Sequence, residues 1–301
     1  MSFIVQTKNL TRRFGDKTSV NRVDLEVPLG SIYGFLGPNG AGKTTTLKML
    51  LGLLRPTAGE IKIFGKMMPE ERRAILRHTG SLVESPSYYG HLSGYKNLKI
   101  FSDLLGLSSK SVLEILDLVR LSKHADRPVK EYSLGMKQRL GIAMALIHKP
   151  KLLILDEPTN GLDPAGIQEI RNLIKELPTL YDSTVLISSH LLSEVEQIAT
   201  HVGIIHHGQL IFQDQMDILQ QHRSPVMYVE LEHPEEAYQT LLGKGWRVDI
   251  ENRSLSIPVT SSKERARLFQ DLQPFSILSV QEKKKSLEEI FIKWTGMGNS
   301  L

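Results

Sequence analysis

The stretch from Gly37 to Thr45, GPNGAGKTT, fits a pattern of Gly, four free positions, then Gly-Lys-Ser/Thr. In it Gly37, Asn39, Gly40, Ala41, Gly42, Lys43, Thr44 and Thr45 are the candidates for holding a phosphate chain. Glycine lets backbone N–H groups turn inward with no Cβ in the way, and the unpaired amides of a helix start add positive partial charge. Lys43 would reach the terminal phosphates, and the Thr44 hydroxyl would take a place on Mg²⁺. A phosphate cradle alone hydrolyses nothing, so a metal-binding carboxylate and a base must come from elsewhere. The run LLILDEP supplies both: Leu152 to Leu155 read as a buried strand ending in Asp156 and Glu157. That places two carboxylates at the sheet edge where open α/β folds bind ligands. Because neighbours on a strand face opposite ways, the two are expected to do different work, Asp156 toward Mg²⁺ and Glu157 as general base for the attacking water.

These groups need a scaffold, and the pattern describes one. SIYGFL before the cradle reads as a strand and TTTLKMLLGLL after it as a helix. Residues 1 to 36 alternate apolar and polar in short runs, with Gly15-Asp16 and Leu29-Gly30 as turns, and read as antiparallel strands. From about 85 to 147 the apolar spacing becomes three and four, a helical insertion. Strand logic returns at LLILD, TVLISSH and HVGIIHH. Asp163 followed by Pro164 reads as a helix cap with proline in the first turn. The expectation is an α/β parallel core with an antiparallel β subdomain and an inserted helical subdomain over residues 1–222, then a small α+β domain over 224–301. In that tail, SKERARLFQDLQ and SLEEIFIKWTG are expected as helices.

The chain has 301 residues, is 41% hydrophobic, and carries a net charge of +4. The excess is too mild to argue for nucleic acid, and none is expected as a partner. With no cysteine, disulfides and thiolate metal sites are excluded. No charge-free apolar window reaches about 18 residues, so this polypeptide is not expected to cross a bilayer by itself.

The segment YSLGMKQRLGIAMAL lies between the cradle and LLILDEPTNGLD, which SSH follows. In that order and spacing these four motifs resemble the nucleotide-binding subunit of ATP-binding-cassette (ABC) transporters, over roughly residues 3 to 220. The family's Leu-Ser-Gly-Gly-Gln is here Tyr132, Ser133, Leu134, Gly135 and Met136. The resemblance implies that ATP and Mg²⁺ are the cofactors and that Ser133 and Gly135 complete the nucleotide site of a second copy. It further implies that Phe14 stacks on adenine, that His190 contacts the γ-phosphate and steadies Glu157, and that Asp163 communicates across the dimer. Where most of the family has glutamine near the metal, this chain has Glu84. Glutamate there, within VESPSYYGHLSGYKNL, resembles the subgroup exporting lantibiotics and bacitracin-like peptides. The implied protein is the ATPase subunit of such an exporter, at the cytoplasmic face of the membrane. It would dock on an integral permease through the helical lobe with Tyr88 and Tyr89. The alternatives are an exporter ATPase for another substrate, or a soluble ATPase of the same fold acting on nucleic acid or ribosomes. The tail is expected to regulate or dimerise.

Overall fold

The computed structural model describes residues 2–84, 86–221, 225–251, 254–259, 261–284 and 287. The chain divides into two compact units, Met1–Met216 and Asp217–Leu301, ahead of the boundary expected at 222–224.

In the first unit β1 (Phe3–Phe14) forms a hairpin with β2 (Lys17–Val23), and β3 (Glu26–Pro28) returns beside β1. Next come β4 (Ile32–Leu36), α1 (Lys43–Leu50), the hairpin β5 (Ala58–Ile63) and β6 (Lys66–Met68), α2 (Arg72–Leu76) and β7 (Thr79–Leu82). The inserted helices are α3 (Gly94–Leu104), α4 (Ser109–Leu118) and α5 (Leu134–Leu146). The unit finishes with β8 (Leu152–Asp156), α6 (Pro164–Tyr181), β9 (Thr184–Ser189), α7 (Leu192–Glu196), β10 (His201–His206) and β11 (Gln209–Gln215), and α8 (Met216–Gln221) follows.

Two sheets result. One is antiparallel, in the order β2-β1-β5-β6 with β3 also on β1; the other runs β11-β10-β4-β9-β8-β7. Within the second, β10, β4, β9, β8 and β7 are parallel and β11 alone is antiparallel. The reading of residues 1 to 36 as wholly antiparallel therefore stops short of β4. Every residue of β4, β8 and β9 is buried, as expected for strands covered on both faces, so their composition is continuous rather than alternating.

Helix α6 shows why the local sequence suffices for one element. Asp163 accepts from the Gly166 N–H at 3.1 Å, Pro164 occupies the first turn, and Ile170, Leu173, Ile174 and Leu177 form one buried stripe. The close approach of α5 to β7 depends on Gly80, where a Cβ would lie 2.1 Å from the Ala145 carbonyl oxygen.

In the second unit β12 (Pro225–Leu231), α9 (Pro234–Gly243), β13 (Asp249–Glu251), β14 (Ser254–Pro258), α10 (Ser262–Leu272) and β15 (Ile277–Lys284) build an antiparallel sheet ordered β13-β14-β12-β15. Its core holds Met227, Val229, Leu241, Trp246, Ile257 and Leu268. Strand β15 has no counterpart in the expectations, because SILSVQEKK alternates too weakly to announce itself. The helix expected at SLEEIFIKWTG lies outside the described residues. Among the described residues no helix is long and apolar enough to cross a membrane.

Candidate functional site

The turn after β4 and the start of α1 form a cavity of about 290 Å³, lined by Lys17, Ser19, residues 38–40, Gly42 to Thr45, and Glu157. Gly42 sits at φ 111°, a region open in practice only to glycine, and a Cβ there would come within 2.5 Å of the Ser19 carbonyl oxygen. It is also the N-cap of α1, which no side chain caps. The loop is pinned from behind: Gly208 N–H donates to the Ala41 carbonyl at 2.9 Å, and Gly37 N–H to that of Ser189 at 3.3 Å.

Lys43 is 6% exposed. Its ammonium donates to the carbonyls of Gly37 at 2.6 Å and Pro38 at 3.3 Å and lies 3.2 Å from Glu157 Oε1. A buried lysine with oxygens alone around it is a cation held for oxyanions. Thr44 donates its hydroxyl to Asp156 Oδ2 at 2.8 Å. That pair of hard oxygen donors beside a phosphate loop is a donor set that suits Mg²⁺.

Asp156 ends β8, but Glu157 is not the next residue of a strand: it has φ 47°. The divergence of the two carboxylates therefore comes from a left-handed turn and not from pleat alternation. Glu157 Oε2 lies 2.8 Å from His190 Nδ1, and an ionised carboxylate can only accept, so Nδ1 carries the proton. One carboxylate thus bridges Lys43 and His190.

Sequence reasoning missed the residue that sets this turn. Ser188 on β9 accepts from the Glu157 N–H at 3.0 Å and donates to Asp156 Oδ1 at 2.5 Å. The signal was there in SSH, but its meaning depends on the parallel register that pairs Asp156 with Ser188. Lys17 and Ser19 were missed for the same reason, since strand pairing brings β2 to the loop.

Other expected residues lie elsewhere. Phe14 is 46% exposed with the Arg12 guanidinium 4.5 Å over its ring, and it is not among the residues lining the cradle. Glu84 has φ 64° and its carboxylate meets Lys48 of α1 at 2.5 Å. Ser133 and Gly135 share a separate cavity of about 410 Å³ with Gly161 and Asp163. There Ser133 caps α5, its hydroxyl accepting from the Met136 N–H at 3.2 Å. Tyr132, just before it, donates its hydroxyl to the His124 carbonyl at 2.6 Å, and burial raises its pKa above the ordinary value. A groove of about 780 Å³ runs beside the helical insertion, lined by Leu82, Pro86, Phe101, Leu104, Leu107 and Met144 among others. Tyr88 and Tyr89 are not part of its lining.

Comparison with known proteins agrees with this geometry. The ABC transporter family model matches residues 20–160. The bacitracin transport ATP-binding protein BcrA of Bacillus licheniformis is 42% identical over 99% of each chain. The lantibiotic transport ATP-binding protein SrtF of Streptococcus pyogenes is 47% identical over 71% of this chain and 92% of its own. Among solved structures, an ATP-binding subunit of an ABC transporter superposes with a TM-score of 0.65 at 27% identity, covering 73% of this chain and 92% of that one. The chain belongs to the ABC transporter family as one of its ATP-binding proteins, and it is an ATPase.

Proposed function

We propose that this chain is one of a pair of ATPase subunits driving a separate integral membrane protein, and that the assembly exports a bacitracin- or lantibiotic-like peptide, conferring resistance or immunity. The observation that carries the chemistry is Glu157, held between Lys43 and His190 at the mouth of the cradle and one residue from Asp156.

The loop amides and Lys43 bind the triphosphate, and Thr44 with Asp156 holds Mg²⁺. Bound there, the metal neutralises phosphate charge. Glu84 joins that set only by leaving Lys48. Glu157 takes a proton from the attacking water as its oxygen bonds to the γ-phosphorus and the bond to the ADP oxygen breaks. The His190 Nδ1–H fixes the carboxylate's orientation. On a single chain the cradle and the Ser133–Asp163 cavity have no lining residue in common, which favours a nucleotide sandwiched between two copies. Phe14 pairs across the hairpin with Lys17 of the cradle's lining, and its ring would stack on a base with the face that Arg12 does not cover.

Support for export of an antimicrobial peptide comes from the relatives named for bacitracin and lantibiotic transport. The groove beside the helical insertion, with Leu104 79% exposed, suits an apolar helix of a membrane partner. Peripheral residence at the membrane would follow from that docking.

Glu157→Gln tests the chemistry. Turnover of ATP should fall by about 10²–10⁴-fold while ATP binding, measured by equilibrium dialysis, survives; a variant that turns over at the parent rate refutes the base. Co-purification with an integral membrane protein, and loss of bacitracin or lantibiotic tolerance when the chain is deleted, test the transport reading.

A further inference from the structure

The β1–β2 hairpin carries two irregularities, and only one of them serves the cradle. Arg12 pairs with Val20 and Arg13 with Thr18, leaving Ser19 as an extra residue that lines the phosphate cavity. One step further along, Leu10 pairs with Val23 and Arg12 with Val20, so Asn21 and Arg22 together oppose Thr11 alone. That is a bulge, and bulges re-aim side chains. Arg22 has φ 51°, a left-handed conformation that costs a non-glycine residue energy, and its N–H closes the bulge on the Thr11 hydroxyl at 3.1 Å.

The bulge opens a polar cavity of about 490 Å³. Arg13 and Arg22 both line it, together with Thr11, Asn21, Thr57 and Gln209. Its floor is stitched by the Arg13 N–H on the Thr57 hydroxyl at 3.0 Å and the Thr57 N–H on the Thr11 carbonyl at 2.8 Å. Among the described residues neither guanidinium makes a hydrogen bond or ion pair, and no carboxylate lines the cavity. Two like charges set around one concavity, beside amide side chains that can donate, form a receptor for an oxyanion. The flat fork of a guanidinium matches phosphate oxygens two at a time.

We infer that Arg13, Arg22, Asn21 and Gln209 form a second, non-catalytic site for a phosphate group carried by a small soluble molecule. Arg13 and Arg22 are exposed at the rim, and apart from Ala58 the lining is polar, so the site offers nothing to acyl chains and favours a free phosphate-bearing ligand over the headgroup of a membrane lipid. The site stands apart from the reading of Glu157 as base and survives its failure. It is not remote from the nucleotide: the Asn21 N–H donates to the Gly208 carbonyl at 2.8 Å, and the Gly208 N–H to Ala41 in the loop.

The test uses the full chain with its cradle saturated by Mg²⁺ and a non-hydrolysable ATP analogue, and inorganic phosphate as the probe. Equilibrium dialysis should find one further phosphate per chain. Arg13→Ala with Arg22→Ala should weaken that binding at least tenfold while leaving analogue binding and the circular dichroism spectrum unchanged. Arg13→Lys with Arg22→Lys, which keeps charge but loses the fork, should fall between. Absence of a further phosphate, or equal affinity in the double alanine variant, overturns the inference. So does binding to phosphatidylglycerol vesicles that needs the two arginines while free phosphate is ignored, since that assigns the charge to a lipid surface.

Discussion

Helices α1 and α5 both begin at a turn that the proposed function sets against phosphate, yet they begin in opposite ways. The N-cap of α1 is Gly42, which has no side chain and a backbone only glycine tolerates, so no side chain competes for the helix's first amides. The N-cap of α5 is Ser133 in ordinary extended conformation, with its hydroxyl already engaged by the Met136 N–H. A helix start leaves its first N–H groups without intrahelical partners. At α1 those donors, the dipole and Lys43 converge on one cavity, so this end is built for an anion of its own. At α5 the start is stabilised from within, and its one lysine, Lys137 at the fourth position, does not line the cavity that Ser133 shares with Asp163, so it is suited to add a few contacts to a phosphate already bound elsewhere.

The harshest way to break the contrast is to give α1 a side chain at its cap. Gly42→Ala places a Cβ 2.5 Å from the Ser19 carbonyl, a backbone atom, and forces alanine to φ 111°. Strain of about 1–3 kcal/mol at such a site corresponds to as much as about a 100-fold change in affinity. ATP binding should fall by about that factor. An unchanged dissociation constant would mean that the open cap does not make the cradle.

How much of this was legible in the chain follows from the range of the interactions involved. The loop from Gly37 to Thr45, the buried run before Asp156 and the Asp163 cap are all set by neighbours within a few residues, and pattern alone locates them. The Glu157 turn is different. Nothing local announces a glutamate at φ 47°, and Ser188, which holds it, is brought in by the β8–β9 register. Glu84 likewise turns to Lys48, 36 residues away, and the Asn21–Arg22 bulge is a property of strand pairing that no single strand displays. Strand β15 escaped because an antiparallel edge strand with exposed Ile277 and Leu278 lacks a clean alternation.

Substitution at Ser133 sharpens the comparison by separating capping from phosphate contact. Aspartate caps a helix as well as serine does, so Ser133→Asp should leave stability to heat within error. It also places a carboxylate where the proposed second chain's nucleotide would lie, and close like charges repel by several kcal/mol near a protein surface. ATP turnover should then drop by about tenfold or more at saturating ATP, with affinity at the cradle of the same chain unchanged. Ser133→Ala gives the complementary result: about 1 kcal/mol of stability lost with the cap, and a smaller fall in turnover. Full turnover in the aspartate variant would remove Ser133 from the nucleotide site.

The gentlest probe is Asp163, which caps α6 from the same cavity as Ser133 but with a charge. Its carboxylate accepts from the Gly166 N–H and also faces the positive end of an 18-residue helix. The substitution Asp163→Asn keeps an acceptor oxygen in the capping position and removes only the charge. The loss is then the charge–dipole part, about 0.3–1 kcal/mol at this exposed site, or about 1–3 °C in the melting temperature of a unit this large. Salt screens that interaction, so the gap between parent and variant should narrow as ionic strength rises. The cap hydrogen bond, by contrast, is retained in both proteins. A gap indifferent to salt, or one as wide as that of Asp163→Ala, would mean the carboxylate acts through geometry alone. α6 would then begin like α5, held by a hydrogen bond and indifferent to charge, and α1 would be the one start of the three whose electrostatics matter.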